Sequence, residues 1–269
     1  MKRSVQDTPI AFIGAGNIAT SLAKALYSNG FRIVQIFSRT EEAAKALAQK
    51  VEAEYTTELS KVTTRARLYI VALKDDAFVE LLPQIIENKG DALLVHTAGS
   101  IPMNIWEGKV SRYGVLYPMQ TFSKERDVDF REVPFFIESN SVDDMKLLKA
   151  IASVLSDRVY EADSEQRKSL HLAAVFTCNF TNHMYALAAE LLKKYHLPFD
   201  VMLPLIDETA RKTHLLEPFC AQTGPAMRYD MNVINKHLDM LVDEPEMREI
   251  YRLVSESIHQ LHSGKEGEE

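Results

Sequence analysis

The feature that most constrains this chain is a glycine-containing turn between an apolar run and a helical pattern near the N-terminus. Residues 10–13 are continuously apolar, the hexapeptide Gly14–Ala19 follows directly, and helix-forming residues continue to Ser28. A strand buried on both faces of a parallel sheet has such an apolar sequence, and Gly30 stands where a helix commonly ends. The pattern therefore predicts a strand–turn–helix unit of an α/β fold.

The hexapeptide has the spacing of a pyrophosphate-binding turn. Gly14 permits the tight turn, Gly16 lets the backbone approach a phosphate, and the small Ala19 allows helix and strand to pack closely. Free N–H groups at the helix start, with the helix dipole, would meet the phosphate charge. We therefore predict a dinucleotide site rather than a turn that binds nothing, formed by Gly14, Gly16, Asn17, Ile18 and Ala19.

The residues after the second predicted strand indicate which dinucleotide binds. An NAD-binding domain would carry an acidic residue there, about twenty residues beyond the glycines, to hold the ribose 2′-hydroxyl. Here the sequence is Ser38-Arg39-Thr40. Arg39 offers a planar guanidinium for a 2′-phosphate, and the two hydroxyl groups add donors. The prediction is NADP(H), against the alternative that Arg39 is an ordinary surface arginine.

The rest of the first half continues the alternation of strand and helix, which predicts a doubly wound, mostly parallel sheet. The predicted strands are 10–13, 33–37, 68–73, 92–96, 113–117 and 134–138, and the helices between them are 18–28, 41–49 and 76–87. Beyond residue 160 only helices are predicted, from Asp163 or Ser164 to about His196, then at 201–213, 229–242 and 245–262. We therefore expect an NADP-binding Rossmann-like domain over 1–162 and an all-helical substrate and dimerisation domain over 163–269.

Residues at the ends of the later strands are candidates for the same site, because ligands bind beyond the carboxyl ends of strands in open α/β sheets. Leu73 and Lys74 are predicted to contact the cofactor, although the neighbouring Asp75 could be only a helix cap. Ala98 and Gly99 are predicted to line the nicotinamide end, since glycine lets the backbone approach a ligand.

Other polar residues are candidates for binding the substrate, and each has a structural alternative. Ser100 and Gln120 lie at strand ends, although Tyr117-Pro118 could simply terminate its strand. Arg228 could bind the carboxylate of an acidic substrate or form an ion pair with Asp230. His96 belongs either to the site or to the core, as a buried and hydrogen-bonded histidine.

These motifs resemble the 6-phosphogluconate dehydrogenase-like superfamily, in which a Rossmann domain precedes an all-helical domain. Within it, the chain is most similar to a family of NADP oxidoreductases with a helical C-terminal domain of unknown function. The resemblance implies NADP binding and dimerisation through the helical domain but supplies no substrate. Pyrroline-5-carboxylate reductase and ketopantoate reductase are more distant relatives. The matching segments are Gly14–Ala19, Ser38–Thr40, His96–Ser100, Tyr117–Phe122, His171–Phe180, Leu203–Ile206 and Thr223–Asp230.

The resemblance also shows one departure. Hydroxyacid dehydrogenases of the superfamily carry a lysine and an asparagine three residues apart on the first helix of the second domain, whereas this chain has Asn179 and Asn182. An asparagine can hold a carbonyl group but cannot deliver a proton, so the acid must be another residue. His171 is the candidate, or else a polar contact at the domain boundary. On a regular helix it would share a face with Asn182, about 16 Å away along the axis.

Composition narrows the class of protein. Hydrophobic residues make up 46% and charged residues 26%, as in ordinary globular proteins, and the net charge of −7 argues against binding to nucleic acid or to a membrane surface. Cys178 and Cys220 have no metal-binding or redox spacing, so no metal is expected and a reducing cytoplasm is the simplest compartment. The helix after residue 163 is apolar nearly all round, which predicts burial inside a bundle or an oligomer.

The leading hypothesis is a cytoplasmic, dimeric NADP(H)-dependent oxidoreductase that reduces a C=O or C=N bond of a small, carboxylate-bearing metabolite. His171, Asn179 and Asn182 would be its catalytic residues. One alternative is an NADP(H)-binding sensor without turnover, which the absent lysine would explain. Another is an NADP reductase that exchanges hydride with a deazaflavin and needs no side-chain acid.

Overall fold

The computed structural model describes residues 4–124 and 126–264. Within them, eight strands form one sheet in the order β3-β2-β1-β4-β5-β6-β7-β8, and neighbouring strands are parallel except for the antiparallel pair β6–β7. The predicted doubly wound, mostly parallel sheet is therefore confirmed. The strands are β1 (Ile10–Ile13), β2 (Ile33–Phe37), β3 (Glu54–Thr56), β4 (Leu68–Val71), β5 (Leu93–His96), β6 (Tyr113–Pro118), β7 (Phe135–Ser139) and β8 (Val159–Glu161).

Helices alternate with most of the strands, and among the described residues no strand follows β8. The predicted strands and the shorter predicted helices all overlap observed elements, with only their ends displaced. The helices are α1 (Asn17–Ser28), α2 (Glu41–Lys50), α3 (Asp75–Ile85), α4 (Val142–Leu155), α5 (Ser164–Ala174), α6 (Thr181–Lys194), α7 (Leu203–Lys212), α8 (Pro218–Ala221), α9 (Met231–Met240) and α10 (Pro245–Ser263).

Both faces of the sheet are covered by apolar side chains. Along β1, Ile10 and Phe12 belong to one buried cluster, which includes residues of α1, α2 and α4. Ala11 and Ile13 belong to a second cluster, which includes residues of α3. Successive residues of a strand point to opposite faces, so a strand covered on both sides has to be apolar throughout. This is why the apolar runs predicted the central strands correctly.

Two strands and one α-helix of the described sheet domain were missed by the sequence analysis. β3 and β8 are each three residues long and lie at the two edges of the sheet, so they carry little apolar pattern. α4 does carry a signal, because Ser141 precedes it and accepts a hydrogen bond from the Asp144 N–H. That N-cap, with Leu148 and Ile151 buried on one face, could have revealed the helix.

The long helix predicted after residue 163 is a continuous helical segment with a π-helical turn, Val175–Phe180, between α5 and α6. Asp163 is its N-cap, accepting from the Gln166 N–H at 2.8 Å. A π turn has i→i+5 hydrogen bonds, so the regular helix assumed in relating His171 to Asn182 is interrupted between them. Leu172 is 60% exposed and Met184 37%, so the predicted burial is not found within one chain.

The chain separates into two compact units, Met1–Asn179 and Phe180–Glu269. The first contains the sheet, α1 to α5 and the π turn up to Asn179, and the second contains α6 to α10. The domain boundary predicted at residue 162 directly follows β8. The functions assigned to the two predicted domains stay predictions. In the described part of the chain, no helix is both long and apolar enough to cross a membrane.

Candidate active site

The turn after β1 is held in a conformation that requires glycine. Gly14 has a φ of +122°, and its N–H donates to the Phe37 carbonyl oxygen at 2.8 Å. A Cβ atom at this position would lie 2.2 Å from the Ala72 carbonyl oxygen, which follows β4. Gly14 therefore fits its backbone tightly between the ends of β2 and β4, where a side chain would clash.

The next glycine faces open space. Gly16 is the N-cap residue of α1, no side chain caps this helix, and its first turn holds no acidic residue. A Cβ added to Gly16 would meet no atom within 4 Å. An uncapped helix N-terminus beside free space is suited to bind an anion, so these residues fit the pyrophosphate of a dinucleotide.

The other predicted residues of the turn contribute through packing and backbone. Ala19 is completely buried, as expected where helix and strand pack closely. The Asn17 side chain donates to the Phe122 carbonyl oxygen at 2.8 Å, which ties α1 to the segment after β6. Because this bond occupies the side-chain amide of Asn17, we expect Asn17 and Ile18 to contact a phosphate through their backbone N–H groups.

The residues after β2 leave one cation available. The Thr40 N–H donates to Ser38 Oγ at 3.3 Å, and the exposed Arg39 has no ion-pair partner among residues 4–124 and 126–264. The nearest acid in sequence, Glu41, accepts a hydrogen bond from the Tyr55 hydroxyl at 3.2 Å. This arrangement fits a 2′-phosphate, since the guanidinium is free and the neighbouring carboxylate is engaged.

The residues after β4 differ in part from the prediction. The exposed Lys74 is the N-cap of α3, and Leu73 is half-buried beside it. Asp75 starts the helix, so the interpretation of Asp75 as its cap is wrong. Its carboxylate accepts a hydrogen bond from Ser100 Oγ instead. The Ser100 hydroxyl predicted to bind substrate thus donates to a protein group and retains only its acceptor capacity.

His171 lies directly against the loop that follows β5. A Cβ added to Gly99 would be 2.7 Å from both Cγ and Nδ1 of His171, so the imidazole packs on bare backbone. Nδ1 is 3.3 Å from the Tyr117 hydroxyl, and the two rings meet edge to face with centroids 6.3 Å apart. Three elements therefore converge at the carboxyl edge of the parallel strands: the loop after β5, the end of β6, and α5.

Tyr117 is the residue that the sequence analysis failed to single out. The sequence places it in the matching segment Tyr117–Phe122 at a strand end but assigns its side chain no role, although a position near the carboxyl end of a parallel strand beside β5 is a usable signal. Burial raises the pKa of the Tyr117 hydroxyl above its ordinary value, with the charge of Arg167 acting in the opposite direction. The hydroxyl is therefore protonated at neutral pH.

His96 belongs to the core, as the buried alternative predicted, although its Nε2 has no hydrogen-bond partner among the described residues. Its ring is fully buried, with Phe78 and Trp106 at centroid distances of 5.6 Å and 6.2 Å. Nδ1 accepts a hydrogen bond from the Ala98 N–H at 3.2 Å, which shapes the loop that carries Gly99. Burial lowers the pKa of His96 to about 3, and the positive charge of Arg167 contributes to the shift.

A buried ionic network fastens α5 to the sheet. The Arg167 guanidinium is fully buried, pairs with Glu138 of β7 and donates to the Ile101 carbonyl oxygen at 2.7 Å. Ser164 adds a second attachment, since its Oγ accepts from the Met103 N–H at 2.9 Å. Because His171 is one helical turn beyond Arg167, this network fixes the imidazole relative to the loop after β5.

The two predicted asparagines lie in different compact units. Asn179 is in the π turn that ends the first unit, and Asn182 is in α6 of the second. Both are exposed, and neither amide has a hydrogen-bond partner among the described residues. The burial predicted for this helix is therefore not found at either asparagine in the single chain, while substrate binding by the pair stays a prediction.

The remaining substrate candidates are solvent-exposed. Gln120 Oε1 accepts from the Thr121 N–H at 2.8 Å. Asp230 is the N-cap of α9, accepting from the Val233 N–H at 3.3 Å, and no ion pair joins it to Arg228 in the described part of the chain. The structural alternative for Arg228 is therefore wrong. Nowhere in residues 4–124 and 126–264 do three His, Cys, Asp or Glu side chains cluster as metal ligands.

Comparison with known proteins identifies the family. A crystal structure from Bacteroides fragilis, described as that of a "putative NADP oxidoreductase", is 73% identical to this chain. The match covers 96% of this chain and all of the other, with a TM-score of 0.93. The chain belongs to this family of NADP oxidoreductases. The predicted family, fold class and NADP cofactor are thereby confirmed at the level of the family.

Two family models match different parts of the chain. Residues 9–99 match a family described as NADP oxidoreductase, coenzyme F420-dependent, and residues 133–258 match a domain of unknown function, DUF2520. No protein of curated function matches the sequence. Other solved structures match the chain at much lower sequence identity.

Two of these solved structures share the fold over almost the whole chain. An imine reductase from Myxococcus stipitatus in complex with NADP+ is 18% identical, covering 95% of this chain and 93% of its own, with a TM-score of 0.66. A pyrroline-5-carboxylate reductase from Coxiella burnetii is 17% identical, covering 95% and 97%, with a TM-score of 0.57. At these identities the likeness concerns the fold.

Proposed function

We propose that this oxidoreductase uses NADPH to reduce a C=N or C=O bond of a small, carboxylate-bearing metabolite. One observation carries the proposal: His171, which can donate a proton, packs on Gly99 in the loop after β5. This loop lies at the same edge of the sheet as the pyrophosphate-binding turn, because β1 and β5 are both parallel to β4 between them. Proton donor and cofactor site are thus on one side of the domain.

In this proposal each predicted residue has a defined task. Bound NADPH supplies the hydride, while the protein positions the reactants and supplies the proton. The N–H groups after Gly16 hold the pyrophosphate, and Arg39 with Ser38 and Thr40 holds the 2′-phosphate. Leu73, Lys74, Ala98 and Gly99 line the rest of the cofactor. The candidates for contacting the substrate stay the predicted ones, which are Asn179, Asn182, Ser100, Gln120 and Arg228.

The substrate class is supported by the relatives and by this chain's own residues. The two low-identity neighbours are described as an imine reductase and a pyrroline-5-carboxylate reductase, which both act on C=N bonds. Arg228 is a guanidinium exposed to solvent and unpaired among the described residues, which suits a carboxylate. An amide pair such as Asn179 and Asn182 suits a carbonyl or imine group.

A calorimetric titration with NADPH and with NADH tests the cofactor assignment. Arg39→Ala should weaken NADPH binding about 10- to 100-fold, since a charge-assisted hydrogen bond contributes about 1.5–3 kcal/mol. NADH, which lacks the 2′-phosphate, should lose much less. Arg65→Ala is the matched control, because Arg65 pairs with Glu54 away from this edge of the sheet. Equal losses for both nucleotides would contradict the assignment.

A substrate panel tests the reaction. Cyclic imines and 2-keto acids, each with and without a carboxylate, are incubated with enzyme and NADPH, and NADPH oxidation is followed. We expect turnover with carboxylate-bearing members and a raised KM in Arg228→Ala. NADPH binding without oxidation by any member would favour a sensor. Oxidation only in the presence of a deazaflavin would favour the second candidate, which the family description matched by residues 9–99 supports.

We also propose that two copies of the chain associate through the helical domain. Apolar side chains on α5 and on helices of the second unit are at least half-exposed in the single chain, among them Leu172, Leu205, Leu253 and Leu261. Exposed apolar side chains in this number are typical of a surface that is covered in an assembly. A second copy is the occupant that the resemblance to dimeric relatives favours.

A further inference from the structure

The Tyr117–His171 contact specifies how the proposed acid is oriented. The two groups come from different elements, β6 and α5, and Tyr117 Oη is 3.3 Å from His171 Nδ1. Tyr117 is only 7% exposed, whereas His171 is partly accessible to solvent. Nδ1 is also the ring nitrogen beside Gly99, while Nε2 has no hydrogen-bond partner among the described residues. A ligand therefore meets His171 at Nε2.

We propose that Tyr117 is the positioning residue of His171, holding the imidazole so that its Nε2 delivers the proton to the substrate. The inference rests on the proposed reductase function. A hydroxyl group can both donate and accept. Tyr117 therefore accepts from Nδ1–H of the protonated ring, and it still accepts from Nδ1–H of the neutral ring that remains once Nε2 has delivered its proton. The imidazole keeps one orientation through the whole cycle.

Burial keeps the Tyr117 hydroxyl in its protonated form by raising its pKa, although the positive charge of Arg167 acts in the opposite direction. Arg167 is the buried cation one turn before His171 on α5, and it is neutralised by Glu138 of β7. Phe136 of β7 packs on the Tyr117 ring with centroids 6.4 Å apart, which leaves the ring little freedom. Tyr117 is thus a fixed, uncharged hydrogen-bond partner, as a positioning residue has to be.

The reaction balances with this single acid. Bound NADPH would supply the hydride of the new C–H bond. The electron pair of the C=N or C=O bond takes the Nε2 proton of the protonated imidazole, which is left neutral with its remaining proton on Nδ1, and solvent then returns a proton to Nε2. The products are the amine or alcohol and NADP+. No lysine is required, which accounts for the absence of one at the asparagine pair.

Nitrogen NMR of the histidine side chains tests the inference without any substrate. Nitrogen chemical shifts distinguish the two neutral tautomers of an imidazole. We expect the neutral imidazole of His171 in the wild-type protein, in the presence of NADPH, to carry its proton on Nδ1. Tyr117→Phe should give a mixture of tautomers. Tyr113→Phe is the matched control, since it makes the same change at the other end of β6 and should preserve the wild-type shifts.

Kinetics with the best panel substrate provide the second measurement. Tyr117→Phe should lower kcat about 10-fold with unchanged NADPH affinity, and His171→Gln should lower it about 100-fold or more, as for loss of a general acid. An unaltered tautomer and kcat in Tyr117→Phe would overturn the inference. A wild-type protein that shows the expected tautomer but reduces nothing would overturn the proposed function instead, so the two failures are distinguishable.

Discussion

At the scale of the residue, His96 shows how burial controls charge. Its ring is surrounded by Phe78 and Trp106, and its Nδ1 is occupied by the Ala98 N–H. Both features favour the neutral imidazole, and the nearby Arg167 makes a second positive charge still less favourable. The histidine thus supports the loop of the candidate site without titrating near neutral pH.

Because the pKa of His96 is lowered to about 3, this residue should make the protein less stable in mild acid. Its contribution is fully present above the unfolded-state pKa of about 6.5 and is lost as the pH falls below it, because the unfolded state then binds the proton first. Between the unfolded and folded pKa values, the contribution of His96 to the free energy of unfolding should fall by about 1.4 kcal/mol for each pH unit. Urea unfolding at several pH values measures it.

His96→Asn is the variant for this measurement, since an amide oxygen can still accept from the Ala98 N–H but does not titrate. The gap in unfolding free energy between wild type and variant should narrow as the pH falls from about 7 to about 5. Other titrating groups are the same in both proteins, so they cancel in the comparison. Two parallel curves would show that His96 does not govern the acid sensitivity.

At the scale of the element, the two glycines of the turn between β1 and α1 have different roles. Gly14 has a positive φ and lies against the Ala72 carbonyl oxygen, so the folded backbone requires glycine there. Gly16 has free space beside it, so we expect glycine there to leave room for the bound phosphate. The sequence motif makes both residues glycine, and only their surroundings show that the reasons differ.

Alanine at each glycine separates these two roles. Gly14→Ala should destabilise the protein by more than about 2 kcal/mol, since it combines a clash with a strained backbone. Gly16→Ala should change stability by less than about 1 kcal/mol and instead weaken NADPH binding, because its methyl group fills the space a phosphate needs. Thermal unfolding and calorimetry on both variants measure this. A stable Gly14→Ala protein would contradict the argument.

At the scale of the whole molecule, the exposed apolar side chains of the helical region predict self-association. Leu205 on α7 is 63% exposed and Leu253 on α10 is 51% exposed. Val79 on α3 is similarly exposed, at 59%, but it lies on the Rossmann-like unit. Isolated exposed apolar residues are ordinary, whereas many on one region indicate an interface.

Sedimentation or light scattering measures this directly. The wild-type protein should have twice the mass of one chain, and the double variant Leu205→Glu, Leu253→Glu should shift it toward the single chain, because buried unpaired carboxylates are costly. Val79→Glu makes the same change on α3 and should leave the dimer intact. A wild-type protein that is monomeric at high concentration would refute the association.

The sequence by itself determined the central strands, the glycine turn and the choice of NADP over NAD. These features depend on local patterns: continuous apolar runs, glycine at a tight turn, and an arginine where an acid would bind a ribose. The edge strands β3 and β8 were missed because three residues carry too little pattern, and α4 was missed although Ser141 marks its start.

Only the tertiary structure decided which distant residues meet. His171, Tyr117 and Gly99 are far apart in sequence, and their contact depends on the order of strands and on the buried Arg167–Glu138 pair that fastens α5 to the sheet. The π turn likewise depends on hydrogen bonds that no residue spacing reveals. Local patterns fix elements, whereas a site made of several elements is fixed by how they pack.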